Sequence, residues 1–381
     1  MANVPAKVNV LHFAKIVSRN DFVDSIVSNL DPLLFNVYVV TFEDISITFT
    51  PVYKEKRIKH YNLNEKNARN FLKLVPAISK IIRQHNISIV HAHLFEEQFI
   101  AAFLKLRHPK VKFVIGRHYS DEIYLLHSGI KRKVWVGLEN FSNRMATVII
   151  AGSQMVKDIL IKQGVPSQKI ASLPYGFNFD DYRYEKNTPE QTIAIRHRYG
   201  IEPNDVMFVN VGRLFKLKGQ DLLIRVFASI YKKHSNIKLL IIGDGDQRQQ
   251  LEQLVSHFNL EKVVFFTGWL KDAHTYISAA DVVVHPTLSE MFSQLMIESM
   301  AQGKPLIINN VSAVPDVITN GVSGIICEHN FTDWEHALLL VMDEKLRKKI
   351  GHQAEQHVKQ TYPIEVIIKD YEQLYLDLIK K

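Results

Sequence analysis

Short apolar runs recur along the chain, and each gap between them is long enough for one helix. In the first half the runs are Val8-Asn9-Val10-Leu11-His12-Phe13, then 35–42, 87–90, 112–115 and 147–151. They are brief, uniformly apolar and rich in Val and Ile, which suits strands covered on both faces. Between them lie helix-like stretches at 65–86, near 96–106, around Lys131-Arg132-Lys133 and from Gln154 onward. The stretch at 65–86 is amphipathic: Phe71, Leu74, Val75, Ile78, Ile81 and Ile82 form one set, and Lys66, Arg69, Lys73, Lys80 and Arg83 the other. Pro76 is expected to interrupt it. Residues 180–204 break the rhythm with Asp180, Asp181, Glu185, Lys186, Asn187, Pro189 and Pro203, and are predicted to be a polar linker. The alternation resumes with strands at 206–211, 238–242, 263–266, 281–285 and 305–308, and the tail, 364–381, is an amphipathic helix. This pattern predicts the α/β class, with two doubly wound parallel sheets and a cleft between two domains, 1–180 and 181–363.

Composition narrows the picture. With 381 residues, 46% of them hydrophobic, the chain can bury a core in each of two domains. Its single cysteine, Cys327, excludes an internal disulfide and a cysteine-rich metal site, and is expected to be a small buried residue. The segment beginning Met1-Ala2-Asn3 has no signal-peptide pattern, and no apolar run is long enough to span a bilayer, so a cytoplasmic location is expected. The net charge of +8 is one-sided. Residues 1–180 hold 24 Lys and Arg against 14 Asp and Glu, a net of +10, and the rest hold 23 against 25. A basic first half points to an anionic partner, such as an acidic membrane or a phosphorylated lipid acceptor, or else to an ordinary lysine-rich surface. Net charge is the only feature favouring nucleic acid, so no nucleic-acid partner is expected.

Two segments carry candidate chemistry. In Val209-Asn210-Val211-Gly212-Arg213-Leu214-Phe215-Lys216-Leu217-Lys218-Gly219 a strand ends at Gly212, where backbone can approach a ligand. Arg213 and Lys218 follow at the carboxyl end of that strand, where two fixed cations could hold a diphosphate; two exposed basic loop residues are the plainer alternative. In Glu290-Met291-Phe292-Ser293-Gln294-Leu295-Met296-Ile297-Glu298 a helix is expected to start near Ser293 and to offer its free N–H groups to a phosphate. Glu290 would precede that helix and Glu298 lie within it, both able to accept hydrogen bonds from sugar or ribose hydroxyls.

These segments resemble the retaining glycosyltransferases of family four, which have the GT-B fold: two Rossmann-like domains with parallel sheets facing across a cleft. The hallmarks run in order through Ala151-Gly152-Ser153, Leu173-Pro174-Tyr175-Gly176-Phe177-Asn178, Gly212-Arg213 with Lys218-Gly219, Ile242-Gly243-Asp244-Gly245, Gly268-Trp269, the glutamates Glu290 and Glu298, and Ala301-Gln302-Gly303-Lys304-Pro305. The resemblance implies an acceptor-binding first domain, a donor-binding second domain, and a helix at 364–381 crossing back to the first. It implies that Arg213 and Lys218 bind the donor phosphates, that Glu290 contacts the sugar and that Glu298 holds the ribose. Gly212, Gly243, Trp269, Phe292, Ser293 and Leu295 complete the donor set, and His118 in Gly116-Arg117-His118-Tyr119 joins the catalytic set. It further implies a metal-independent, retaining hexosyl transfer from a nucleotide-sugar to a hydroxyl acceptor, with no cofactor. The basic first half makes a glycan or lipid-linked acceptor, met at the inner face of the membrane, the first expectation.

Two departures stand out. Met291-Phe292-Ser293 replaces the family's Gly-Phe-Gly, so a side chain at Met291 would narrow the sugar pocket. The loop after the first strand, Ala14 to Asn20, lacks the family's glycine pair, and Lys15 or Arg19 is the candidate substitute. His91 and His93 are two apart on a strand and would point the same way, yet without HExxH or cysteine partners no metal is expected there. Gly243-Asp244-Gly245-Asp246-Gln247-Arg248 has arginine where a dinucleotide fingerprint needs glycine, so NAD is not expected. A nucleotide-sugar epimerase and a catalytically silent nucleotide-sugar-binding protein remain as alternatives.

Overall fold

The computed structural model describes all residues except 1–6, 16, 18–21, 43–52, 66–69, 119–127, 291 and 381. Contacts divide the chain into two compact units, 1–178 with 362–381 and 179–361.

The first unit holds β1 (Val8–Ala14), β2 (Phe35–Thr41), β3 (Lys59–Asn62), β4 (Ile89–His93), β5 (Lys112–Arg117), β6 (Val148–Ala151) and β7 (Ile170–Ser172). They form one sheet in the order β3-β2-β1-β4-β5-β6-β7, with every pair parallel. The helices are α1 (Phe22–Asn29), α2 (Phe71–Gln84), α3 (Phe95–Arg107), α4 (Gly129–Met145) and α5 (Gln154–Lys162).

The second unit holds α6 (Pro189–Arg198), β8 (Val206–Val211), α7 (Gln220–Tyr231), β9 (Ile237–Ile242), α8 (Arg248–His257), β10 (Val264–Gly268), α9 (Ala273–Ala279), β11 (Val282–His285), α10 (Gln294–Ala301), β12 (Leu306–Asn309), α11 (Val314–Val317), β13 (Ile325–Cys327), α12 (Phe331–Leu340) and α13 (Glu344–Thr361). Its sheet runs β10-β9-β8-β11-β12-β13, again all parallel. The last helix, α14 (Ile364–Lys380), returns to the first unit.

Both sheets share one winding. The first strand is central, two strands are added on one side, and the order then reverses to the other side. The gaps between β1 and β4 and between β8 and β11 are therefore the switch points, where open α/β sheets hold their ligands. The central strands are mostly apolar because helices cover both faces. In the first unit Val10, Val39, Ile89 and Val114 face α1 and α14, and Leu11, Val40, Val90 and Phe113 face α2 and α3. In the second unit Phe208, Leu239, Ile241 and Val282 pack with Phe227 and Trp334.

Several elements differ from the sequence reading. Residues 189–198, predicted as linker, form α6. Thr188 accepts from Gln191 N while the Gln191 side chain accepts from Thr188 N, and Pro189 opens the first turn. α2 begins at Phe71 rather than 65 and runs unbroken past Pro76. Pro76 sits in its second turn and removes only one intrahelical donor there. β3, β7 and β13 were not anticipated.

Candidate active site

In the second unit, local rules bring two loops together at the β8/β11 switch point. After β8 the chain makes a short 3₁₀ turn, Lys216–Lys218, and reverses at Gly219, whose φ of 68° is left-handed. A Cβ at Gly219 would come within 2.2 Å of the Pro286 carbonyl oxygen, so only glycine lets the loop after β11 lie this close. Leu288 N donates to the Leu217 carbonyl at 2.7 Å and locks the two loops in register. From below, Asn309 Nδ2 donates to the Pro286 and Thr287 carbonyls, both at 2.8 Å, while Asn309 Oδ1 accepts from Trp334 Nε1 at 2.7 Å.

This scaffold pairs the Lys218 ammonium directly with the Glu290 carboxylate. His285, the last residue of β11, sits 3.3 Å from the same carboxylate oxygen. Burial would raise the Glu290 carboxyl, but the hydrogen bond from His285 and the Lys218 charge outweigh it and hold the group at about 2. Burial pushes His285 below its ordinary value, so it serves as a neutral imidazole donating to Glu290. Sequence reasoning missed His285; its place at the end of the strand before Glu290 was the available signal.

Ser293 caps α10, its side chain accepting from Met296 N at 3.3 Å. Leu295 is buried and Phe292 half-buried beside it. Glu298, one turn into α10, accepts from Gln294 Nε2 at 2.9 Å and lies 3.8 Å from the Arg183 guanidinium, which Asp181 holds at 2.8 Å. Burial raises its carboxyl, against the opposing effects of Gln294 and Arg183. Gly212 N donates to the Ile242 carbonyl and Gly243 N to that of Gly268, both at 2.9 Å, which ties the ends of β8, β9 and β10 together. Arg213 is exposed, its guanidinium 5.6 Å from the Phe215 ring centre, and Trp269, after β10, is 75% exposed. Met291 lies outside the described residues, as do Arg19 and most of the Ala14–Asn20 loop.

In the first unit, His118 is buried and hydrogen-bonded to His93 Nδ1 at 3.0 Å and to the Tyr175 hydroxyl at 2.5 Å, with the Phe22 ring centre 3.9 Å away. Burial lowers it to about 3, leaving a neutral ring. The adjacent Arg117 points to the other face of the sheet and pairs with buried Glu139 at 2.9 Å. Tyr119 lies outside the described residues. His91 and His93 do share a face, and His12 of β1 joins them.

Two doubly wound parallel sheets of these orders, one in each unit, are the architecture of the GT-B fold. The Glycosyltransferase Family 4 model matches residues 22–181 and the Glycosyl transferases group 1 model residues 191–357. The chain belongs to the glycosyltransferases that combine these two domains. It is 26% identical over 314 residues to the N-acetyl-alpha-D-glucosaminyl L-malate synthase of Bacillus anthracis, covering 81% of this chain and 80% of that protein. It is 24% identical over 367 residues to the alpha-monoglucosyldiacylglycerol synthase of Acholeplasma laidlawii, covering 92% and 91%. Among solved structures, Anabaena HepE in complex with UDP superposes with a TM-score of 0.78 at 19% identity, covering 98% of this chain and all of that one.

Proposed function

We propose that this glycosyltransferase moves a hexosyl group, with retention, from a nucleoside-diphosphate sugar to a hydroxyl of a lipid-linked or surface-glycan acceptor. The observation that carries the reading is the Lys218–Glu290–His285 arrangement at the β8/β11 switch point, beside the N-terminus of α10. Arg213 and Lys218 would bind the diphosphate and neutralise it as the bond from the sugar's anomeric carbon to phosphate oxygen breaks. The acceptor oxygen bonds to the same face of that carbon, and its proton passes to the departing phosphate. Two cations and a helix N-terminus supply the positive charge, so the diphosphate needs no divalent ion. Before donor arrives, Glu290 occupies Lys218. The incoming phosphate competes for the ammonium and frees carboxylate oxygen for sugar hydroxyls. Glu298 would hold the ribose. UDP is the first donor to try, because HepE binds it.

The test is a donor screen with UDP-, GDP-, ADP- and CMP-sugars, read by thermal shift and donor consumption, with Lys218→Ala and Glu298→Ala alongside. One nucleotide class should stabilise the wild type, both variants should abolish the shift, and the product's anomeric configuration should match the donor's. Binding without consumption in the presence of acceptors would favour the silent-protein reading, and turnover without acceptor an epimerase.

A specific surface favours acceptors at a membrane. Ile130, Val134 and Leu138 are 81%, 55% and 40% exposed at four-residue spacing on α4, and Phe103 and Leu106 of α3 are exposed as well. Lys131, Arg132 and Lys133 flank the stripe, all exposed. Apolar side chains ringed by cations suit an acidic lipid surface, where each basic residue adds about 1 kcal/mol. No helix among the described residues is long and apolar enough to cross a membrane. Acidic vesicles should sediment the protein at low salt, and substituting Gln at all three basic positions should release it. Absence of sedimentation at low salt overturns this docking.

A further inference from the structure

The first unit carries an arrangement that the transfer reaction does not use. His12 on β1 and His91 on the neighbouring β4 are register partners, and His93 lies two residues further along β4 on the same face. All three rings are fully buried, in the layer between the sheet and α14 that also holds Val10, Ile89, Val114, Ile364, Tyr371 and Tyr375. Burying six ring nitrogens in a largely apolar layer is unfavourable where a nitrogen finds no partner.

Only part of that requirement is met. His91 Nδ1 bonds the Tyr375 hydroxyl of α14 at 2.7 Å, and His93 Nδ1 bonds His118 at 3.0 Å. His12 Nδ1 and His93 Nε2 face each other at 3.0 Å. His12 Nε2 and His91 Nε2 have no partner. One nitrogen from each of the three rings lies within 4.8 Å of the other two. The space beside them is kept open by Gly116, opposite His93 on β5, where a Cβ would come within 2.9 Å of His91 Nε2 and 2.4 Å of His118 Nε2.

We propose that His12, His91 and His93 bind one divalent transition-metal ion of the zinc class. Neutral imidazoles are the ligands such an ion takes, three protein nitrogens with a solvent-derived fourth ligand are a common set, and nitrogens about 3.4 Å apart suit bonds of about 2.0–2.1 Å. Tyr375 and His118 hold the outer nitrogens of His91 and His93, which fixes Nε2 of each ring as the inward nitrogen. The ion would tie β1 and β4 to each other and, through Tyr375, to α14. It lies in the first unit and takes no part in neutralising the donor diphosphate. This site departs from the sequence expectation of no metal because His12, 79 residues before His91, supplies the third ligand that the His91/His93 pair lacked.

The test uses full-length protein made in zinc- or cobalt-supplemented medium and washed with EDTA. Expected are about one ion per chain by elemental analysis and, with cobalt, the visible absorption of a tetrahedral nitrogen site. His12→Ala and His91→Ala should lose the ion. Tyr375→Phe, which keeps the shape of α14, should stay folded by circular dichroism and bind zinc about 10–100-fold more weakly. Folded wild type without metal or cobalt absorption overturns the proposal, leaving an ordered water between the nitrogens. Metal content unchanged in the His12 and His91 variants also overturns it, as surface histidines would then be the binders.

Discussion

The two units wind their strands in the same order, yet they use the switch point in opposite ways. In the second unit the helix after the fourth strand, α10, is capped by the small side chain of Ser293, and the loop before it presents ionised Glu290 against Lys218. In the first unit the equivalent helix, α3, has Leu94 at its N-cap, with a φ of 69° and no side-chain cap. The anion position there is filled from within. Glu97, in the first turn of α3, is 1% exposed and accepts from its own backbone N–H and that of Lys15. The second unit keeps charge available at its switch point, whereas the first neutralises it with buried carboxyl and imidazole groups. Shared topology locates a site but does not decide its electrostatics; side chains at a few strand ends do.

The largest expected effect breaks the charged side. Lys218→Ala removes the cation beside Glu290 and should lower transfer kcat/KM by about 10²–10³-fold, as losing one fixed charge-stabilising donor does. Steady-state kinetics decide it, and a loss under tenfold would transfer the phosphate role to Arg213. The next prediction sharpens the neutral side. Burial, partly offset by the two backbone hydrogen bonds, raises Glu97 to about 8. The folded state therefore keeps a proton that the unfolded chain releases above about 4.5. Stability contributed by that proton is present below pH 4.5 and is lost as pH rises towards 8. Glu97→Gln, which mimics the protonated form, should gain about 1–3 kcal/mol at pH 8 and nothing at pH 4. Denaturant midpoints at the two pH values measure this, and equal gains at both would remove the carboxyl from the account. The smallest effect is at the cap. Ser293→Ala should cost about 1 kcal/mol of stability, read as a lower urea midpoint at unchanged slope.

The sequence made the strands with unbroken apolar runs legible, because parallel strands between helices are buried on both faces. It did not reveal β3, an edge strand whose Lys59, His60, Tyr61 and Asn62 carry no apolar run, nor the three-residue β7 and β13. α6 escaped because none of its residues is buried and periodicity has nothing to mark; Thr188, Pro189 and Gln191 were the signal that was there. Lys218, Glu290, Ser293 and Glu298 could be singled out within two segments, and the family resemblance, not their spacing, suggested their roles. The contact of Lys218 with Glu290 across 72 residues, the role of His285 and the meeting of His12 with His91 and His93 depend on strand order, which local sequence does not encode.

α14 follows the whole second unit in the chain but belongs to the first, where Ile364, Ile367, Ile368, Tyr371, Tyr375 and Leu378 are buried. Each such side chain contributes about 1.5–3 kcal/mol when buried. On the ribosome the second unit can therefore finish folding while the first still exposes the apolar layer meant for α14. The first-made half of the protein is the last to close, and until residues 362–381 emerge it depends on chaperones or on its own solubility to avoid aggregation.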